Sequence, residues 1–150
     1  MTRDEKYMML AIEQAKEALL LHEVAVGAII VKDDIIISSA YNRKEIDKDP
    51  MGHAEIIAIR KATLILNDWR LSGCEMFSTL EPCAMCAGAI IGSRLKRLVF
   101  GAFDIFEGFF GSKDDLSLIY PMTPRIEVLG GVLLTDCKQI LLASFDNLMS

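Results

Sequence analysis

Histidine is scarce in this chain, with two among 150 residues, at positions 22 and 53. Cysteine and proline are held to four each and tryptophan to one. So few cysteines exclude a small scaffold stapled by disulfides. With ten glycines, the four prolines exclude a low-complexity or collagen-like chain. No apolar run approaches the about 20 residues of a membrane span, so no membrane association is expected. Positive charge is not in excess either: 16 basic against 21 acidic residues leave a net charge of −5. Tight, sequence-indifferent binding to a polyanion normally draws on a basic surface, and the overall balance gives that class no support. What is present is globular: 52% hydrophobic and 25% charged residues, in a length that suits one domain over residues 1–150 with a real core. The start, MTRDEKYMML, mixes charges and lacks the basic, apolar and small-residue zones of a signal peptide, so a cytoplasmic location is expected. Cysteines in that compartment are thiols or metal ligands.

Apolar positions at Met8, Met9, Ile12, Ala15, Ala18 and Leu19 predict a helix over residues 4–21. The β-branched runs VAVGAIIV and IIISSAY, divided by KDD, predict a hairpin. Residues 42–52 read as a polar loop, 53–66 as a helix and EMFSTL as a strand. Pro82 suits the first turn of a helix through CAMCAGAII, since it has no N–H to lose there. RLVFGAF is another strand, residues 104–124 are irregular, RIEVLGGVL is a last strand, and 135–148 a last helix with Thr135 or Asp136 near its cap. Alternating helices and strands after an initial hairpin imply an α/β sandwich, with helices on both faces of a sheet that is antiparallel in one pair and otherwise largely parallel.

The stretches GHAEIIAIRKA and TLEPCAMCAGAI place a His, a Glu and two Cys at two predicted helix starts. Two thiolates three residues apart at a helix start converge on one point, and the positive helix end favours their ionised form. With His53 delivered from the other helix start, His53, Cys83 and Cys86 supply three N/S ligands. That set suits Zn²⁺ and leaves a fourth position for water, the catalytic arrangement. Glu55, two residues after His53, is placed to take a proton from that water and return it to a leaving group. Hydrolytic removal of an amine from a purine or pyrimidine ring needs this pair of functions.

The pattern H-x-E…P-C-x-x-C is the signature of zinc nucleobase deaminases. The segments EVAVGAIIV, YNR, HAEIIAIR, LSGCEMFSTLEPCAMCAGAIIGSR, RLVFGAFD and VLGGVL follow in order the pattern of bacterial tRNA-specific adenosine deaminases, within the zinc-dependent cytidine/deoxycytidylate deaminase superfamily. The chain resembles that family over nearly its whole length. The resemblance implies a cytidine-deaminase-like three-layer α/β/α sandwich with a five-stranded mixed sheet, a homodimer, zinc on His53, Cys83 and Cys86, and Glu55 as proton shuttle. It matches Asn42 to the side chain that holds the target base and the backbone of Ala54 to a donor to that base. The implied reaction is attack of zinc-activated water on C6 of the wobble adenosine in a tRNA anticodon loop, giving inosine. The alternative within the same chemistry is deamination of a free nucleobase or nucleoside such as guanine or cytosine.

Several residues have plainer readings. A closed structural zinc site needs a fourth ligand, Cys74 or Cys137, and would leave Glu55 unexplained. Otherwise those two thiols act as small hydrophobes, and His22 is a solvated or helix-capping residue. Arg43, Lys44, Arg70, Arg94, Lys96 and Arg97 are either solvated charges or a phosphate-binding rim. Phe103, Phe106, Phe109 and Phe110 either stack on splayed bases or close an apolar lid over a small substrate.

Overall fold

A computed structural model describes residues 1–120 and 123–149. Its elements are α1 (Arg3–Leu20), β1 (Gly27–Lys32), β2 (Ile35–Tyr41), α2 (Ala54–Leu66), β3 (Cys74–Leu80), α3 (Ala84–Gly92), β4 (Arg97–Ala102), the short α4 (Leu116–Ile119), β5 (Glu127–Gly130) and α5 (Leu134–Met149). The five strands form one sheet in the order β2-β1-β3-β4-β5. Asp33 and Asp34, both at positive φ, make the two-residue turn that closes the β1–β2 hairpin with the twist such turns favour.

The sheet is mixed, as implied, with one correction to the expected pairing. β3 lies beside β1 and runs antiparallel to it, so two pairs are antiparallel, and only β3–β4 and β4–β5 are parallel. The cause is the β2–α2–β3 crossover, which passes over β1 and seats β3 on its far side.

Strand alternation sorts the core into two layers. Ala28 and Ile30 of β1, Met76 of β3, and Leu98 and Phe100 of β4 face the layer holding Ala54, Ala58, Ala62, Ala87 and Ile90 of α2 and α3. Ile29, Val31, Phe77 and Val99 face the opposite layer, with Met8, Ala11, Ile12 and Ala15 of α1 and Cys137 and Ile140 of α5. Central strands buried on both faces explain why their sequences read as continuous apolar runs. Helix α1 carries small residues where it crosses the sheet, and it approaches Gly27 so closely that a Cβ there would strike the backbone of Ala11 and Ala15. Its start is fixed by a capping box, with the Glu5 N–H donating to Thr2 Oγ1 at 3.1 Å and the Thr2 N–H to Glu5 Oε1 at 2.9 Å.

Several boundaries differ from the expected ones, among them β1, which starts three residues into VAVGAIIV, and β5, which takes only four residues of RIEVLGGVL. Pro82 precedes the N-cap Cys83, so it lies before α3 and outside its first turn. α5 begins at Leu134, which puts Thr135 and Asp136 inside its first turn rather than at the cap. The irregular segment contains α4, whose Asp115 N-cap accepts from the Ser117 N–H at 3.0 Å. Among the described residues, no helix is long and apolar enough to cross a membrane.

Candidate active site

His53 and Cys83 are the N-caps of α2 and α3, and neither makes a side-chain capping hydrogen bond. Both side chains are therefore free to point into the space in front of the helices, where first-turn N–H groups lack intrahelical partners and the helix ends are positive. Cys86 lies one turn into α3 and is buried. The Nδ1 of His53 is 3.7 Å from Cys83 Sγ and 3.5 Å from Cys86 Sγ. An ion with Zn–N of about 2.0–2.1 Å and Zn–S of about 2.3 Å in tetrahedral geometry would set such donors about 3.6 Å apart. The donor triangle fits zinc. Among the described residues no fourth His, Cys, Asp or Glu joins this group. Cys74 and Cys137 are buried in separate core layers. The arrangement is the three-donor, open kind rather than a closed structural site.

The two thiols are shifted in opposite directions. Cys83 is pulled down to about 4, chiefly by the hydrogen bond from the Cys86 thiol and further by His53. Cys86 is pushed up by that same partnership and by burial. His53 is raised, first by its hydrogen bond to Cys83. A dication in the triangle favours the ionised form of both sulfurs at once. Glu55, on the first turn of α2, is buried beside this group, and burial pushes its carboxyl above the usual range.

A cavity of about 800 Å³ opens on the triangle. Asn42, His53, Ala54, Glu55 and Cys83 all border it. Asn42 follows β2 and is fixed by three bonds: its own N–H to Val26 O at 3.0 Å, its Nδ2 to Val24 O at 3.1 Å, and the Lys44 N–H to its Oδ1 at 3.2 Å. One amide N–H and one oxygen lone pair remain for a ligand. The site lies beyond the carboxyl ends of β3 and β4, where open α/β sheets bind their ligands.

The profile of the cytidine and deoxycytidylate deaminase zinc-binding region matches residues 1–102, which include all three donors and Glu55. The chain belongs to this family. It is 45% identical over 145 residues to the tRNA-specific adenosine deaminase of Haemophilus influenzae, covering 96% of this chain and 84% of that protein. It is 42% identical over 148 residues to the tRNA-specific adenosine deaminase of Bacillus subtilis, covering 99% and 92%. A solved structure from a study of A-to-I editing by tRNA:A34 deaminases at the wobble position of transfer RNA superposes with a TM-score of 0.82 at 34% identity, covering 90% of this chain and 98% of that one. A guanine deaminase from Nitrosomonas europaea shares the fold, with a TM-score of 0.82 at 23% identity, covering 97% of this chain and 86% of that one.

Zinc is thus the metal of this deaminase fold, and the mouth of its cavity differs from the expected rim and ring cluster. Phe103 and Phe106 line the cavity, Phe106 being 79% exposed, whereas Phe110 is 6% exposed and belongs to the core with half-buried Phe109 packed on it. The four rings split between two roles. The basic residues do not form one rim. Arg97 is bound to Asp4 at 2.7 Å and to Glu75 at 3.0 Å, and Arg43 to Asp47 at 3.0 Å. Arg70 and Arg94 flank Trp69 at 4.5 and 5.6 Å, beyond the far end of α2. The 13 residues of α2 set that end about 20 Å from His53. Lys44 alone of the expected set lines the cavity, joined by Lys138 and Phe145 of α5, which the sequence reading missed. It missed two buried acids as well. Glu23 accepts from the N–H groups of Glu45 and Ile46 at 3.1 and 2.8 Å, fixing the loop that leads to His53. Glu81 holds the segment after β4. The available signal was a lone acid within an apolar run, HEVAV and TLEPC, since such acids are buried only when satisfied.

Proposed function

We propose that this chain is a cytoplasmic, homodimeric enzyme whose single domain, residues 1–150, converts adenosine to inosine at the tRNA wobble position. The observation that carries the reaction is the buried Glu55 carboxyl beside the open His53–Cys83–Cys86 triangle. The substrate class rests on identity of 42–45% along almost the whole chain to proteins named for it.

His53, Cys83 and Cys86 hold the zinc. When bound, zinc lowers the pKa of water and so makes an oxygen nucleophile available at neutral pH. Asn42 and the Ala54 N–H orient the purine so that C6 faces the donor triangle. Glu55 takes the proton released from water and delivers it to N1 as the C6–O bond forms. It then takes the proton of the new C6 hydroxyl and passes it to the amine as the C6–N bond breaks and ammonia leaves. The product is inosine. Phe103 and Phe106 at the mouth stack on unpaired neighbours of the target base, and Lys44 and Lys138 meet their phosphates.

A second copy of the chain fits the outer face of the α2–α3–α4 layer. Leu64, Ile65 and Trp69 at the end of α2, and Leu118 and Ile119 of α4, are all more than half exposed. An apolar surface of this kind on a soluble enzyme marks an interface. Ile65→Asp with Ile119→Asp should yield a monomer in sedimentation.

The deciding experiment assays zinc-loaded protein, and Glu55→Ala beside it, on a tRNA transcript, free adenosine, guanine and cytosine. Inosine formed in tRNA at position 34 by the wild type alone supports the reading. Turnover of a free base without inosine in tRNA overturns it and leaves the deaminase chemistry standing.

A further inference from the structure

Glu81 links β3 to Pro82 and is 1% exposed. Burying a carboxylate is unfavourable unless both its oxygens find donors. Here Oε1 accepts from the Asp104 N–H at 3.1 Å and from the Ser112 hydroxyl, and Oε2 accepts from the N–H groups of Phe110 and Ser112, each at 3.1 Å. All four donors belong to one segment, residues 104–112. Backbone bonds fasten its leading flank and its interior to the same place: the Glu81 N–H donates to Ala102 O and the Phe109 N–H to Pro82 O, both at 2.9 Å. Gly108 presses so near that a Cβ there would collide with the carboxylate.

This segment follows Phe103 at the cavity mouth, carries Ile105 and Phe106 there, and sends Phe110 into the core. Glu81 is two residues from the metal-ligand position Cys83. It lies outside the donor triangle, and each of its oxygens already accepts two hydrogen bonds, so it has no part in the proton steps.

We propose that Glu81 is a positioning residue for the substrate: it clamps residues 104–112 to the PCxxC segment, so that the metal site and the apolar mouth are built as one unit. The clamp sets how well the substrate is held and leaves the chemical step alone. The kinetic half rests on the deaminase reading above, and the structural half does not.

The test uses the zinc-loaded full chain with Glu81→Ala, Glu81→Gln and Ser112→Ala. Zinc content, hydrogen exchange of the amides of Asp104, Phe110 and Ser112, and steady-state kinetics on an anticodon stem-loop are measured together. Glu81→Ala should keep its zinc while those amides exchange at least about tenfold faster. KM should rise about tenfold with kcat changed less than about threefold, the pattern of lost uniform binding. Glu81→Gln keeps an acceptor and should restore part of both effects. Unchanged exchange in Glu81→Ala, or a fall in kcat at constant KM, overturns the proposal. Should Glu81→Ala fail to fold, Ser112→Ala carries the test: faster exchange across 104–112 supports the clamp and unchanged exchange refutes it. If wild-type protein deaminates no RNA, the functional reading falls, while faster exchange at full zinc still supports the clamp.

Discussion

The Nδ1 of His53 lies 3.5 Å from the sulfur of Cys86, although 33 positions separate them in the chain. The approach depends on two helix N-termini docked side by side over one apolar layer, where Ala54, Ala58, Ala62 and Ala87 are buried. Small side chains let the helices close on the sheet and on each other. An ion held by this group would therefore join two units that the chain builds separately, and its binding energy would be folding energy.

Cys83→Ala and Cys86→Ala should each lose the zinc, measured by elemental analysis of purified protein. A ligand present at about a thousand times its Kd stabilises by about 4 kcal/mol. For a chain of this length that corresponds to a fall of about 10 °C in melting temperature. Chelator treatment of the wild type should lower its Tm similarly and leave the two variants unmoved. Full zinc in either variant would remove that cysteine from the ligand set.

Glu55→Gln should retain zinc and fold, because Glu55 lies outside the donor triangle. Turnover should fall at least about a thousandfold, since both proton steps lose their carrier. Substrate affinity, read by equilibrium binding of a tRNA stem-loop, should stay within about threefold of the wild type. Near-normal turnover would give the proton steps to another group.

The grouping of His53, Cys83 and Cys86 with Glu55 was legible because its signals are local: a Cys pair at helical spacing behind a proline, and a His and a Glu two residues apart. The sandwich was legible from alternating apolar patterns. Partners chosen across the fold were not. Arg97 reads as a free cation in SRLKR, yet its guanidinium spans Asp4 and Glu75, 93 and 22 positions away. Phe106 and Phe110 read alike in one loop, yet one is exposed at the mouth and the other is buried in the core, with its N–H on Glu81, 29 positions away. Lys138 and Phe145 sit on an amphipathic helix whose face is fixed by packing against α1, so nothing local marks them as cavity walls.

The Asp4–Arg97 pair supplies an acid-sensitive contribution to stability. Arg97 hydrogen-bonds Asp4 at 2.7 and 2.8 Å and holds its carboxyl below the usual range. Glu75 is lowered too: burial acts upward, and the bonds from Arg3 and Arg97 outweigh it. A carboxylate with a depressed folded pKa contributes stability above its unfolded pKa, about 3.9 for Asp, and loses it as pH falls through the folded value. Asp4→Asn should therefore cost about 1.5–3 kcal/mol in urea unfolding at pH 7. The gap to the wild type should close as pH drops below about 4. A gap constant down to pH 3 would mean that the charge of Asp4 contributes nothing.

The acidic total and the position of the cations make a last, discriminating case. If RNA phosphates reach the cavity mouth, they meet Lys44 and Lys138, whereas Arg70 and Arg94 stand beside Trp69 at the opposite end of α2. Each phosphate contact with a single strand contributes about 0.7 to the slope of log affinity against log salt. Lys138→Ala should flatten that slope by about 0.7 in titrations of an anticodon stem-loop, and Lys44→Ala by a similar amount. Arg70→Ala should leave it unchanged. Phe106→Ala should also leave the slope alone yet weaken binding about tenfold at every salt concentration, since stacking on a base is worth about 1–3 kcal/mol and releases no counterions. A slope carried by Arg70 instead of Lys138 would move the RNA path to the Trp69 end. A slope near zero for the wild type would mean that no phosphate is bound at all, and the ring-lined mouth would then enclose a free base.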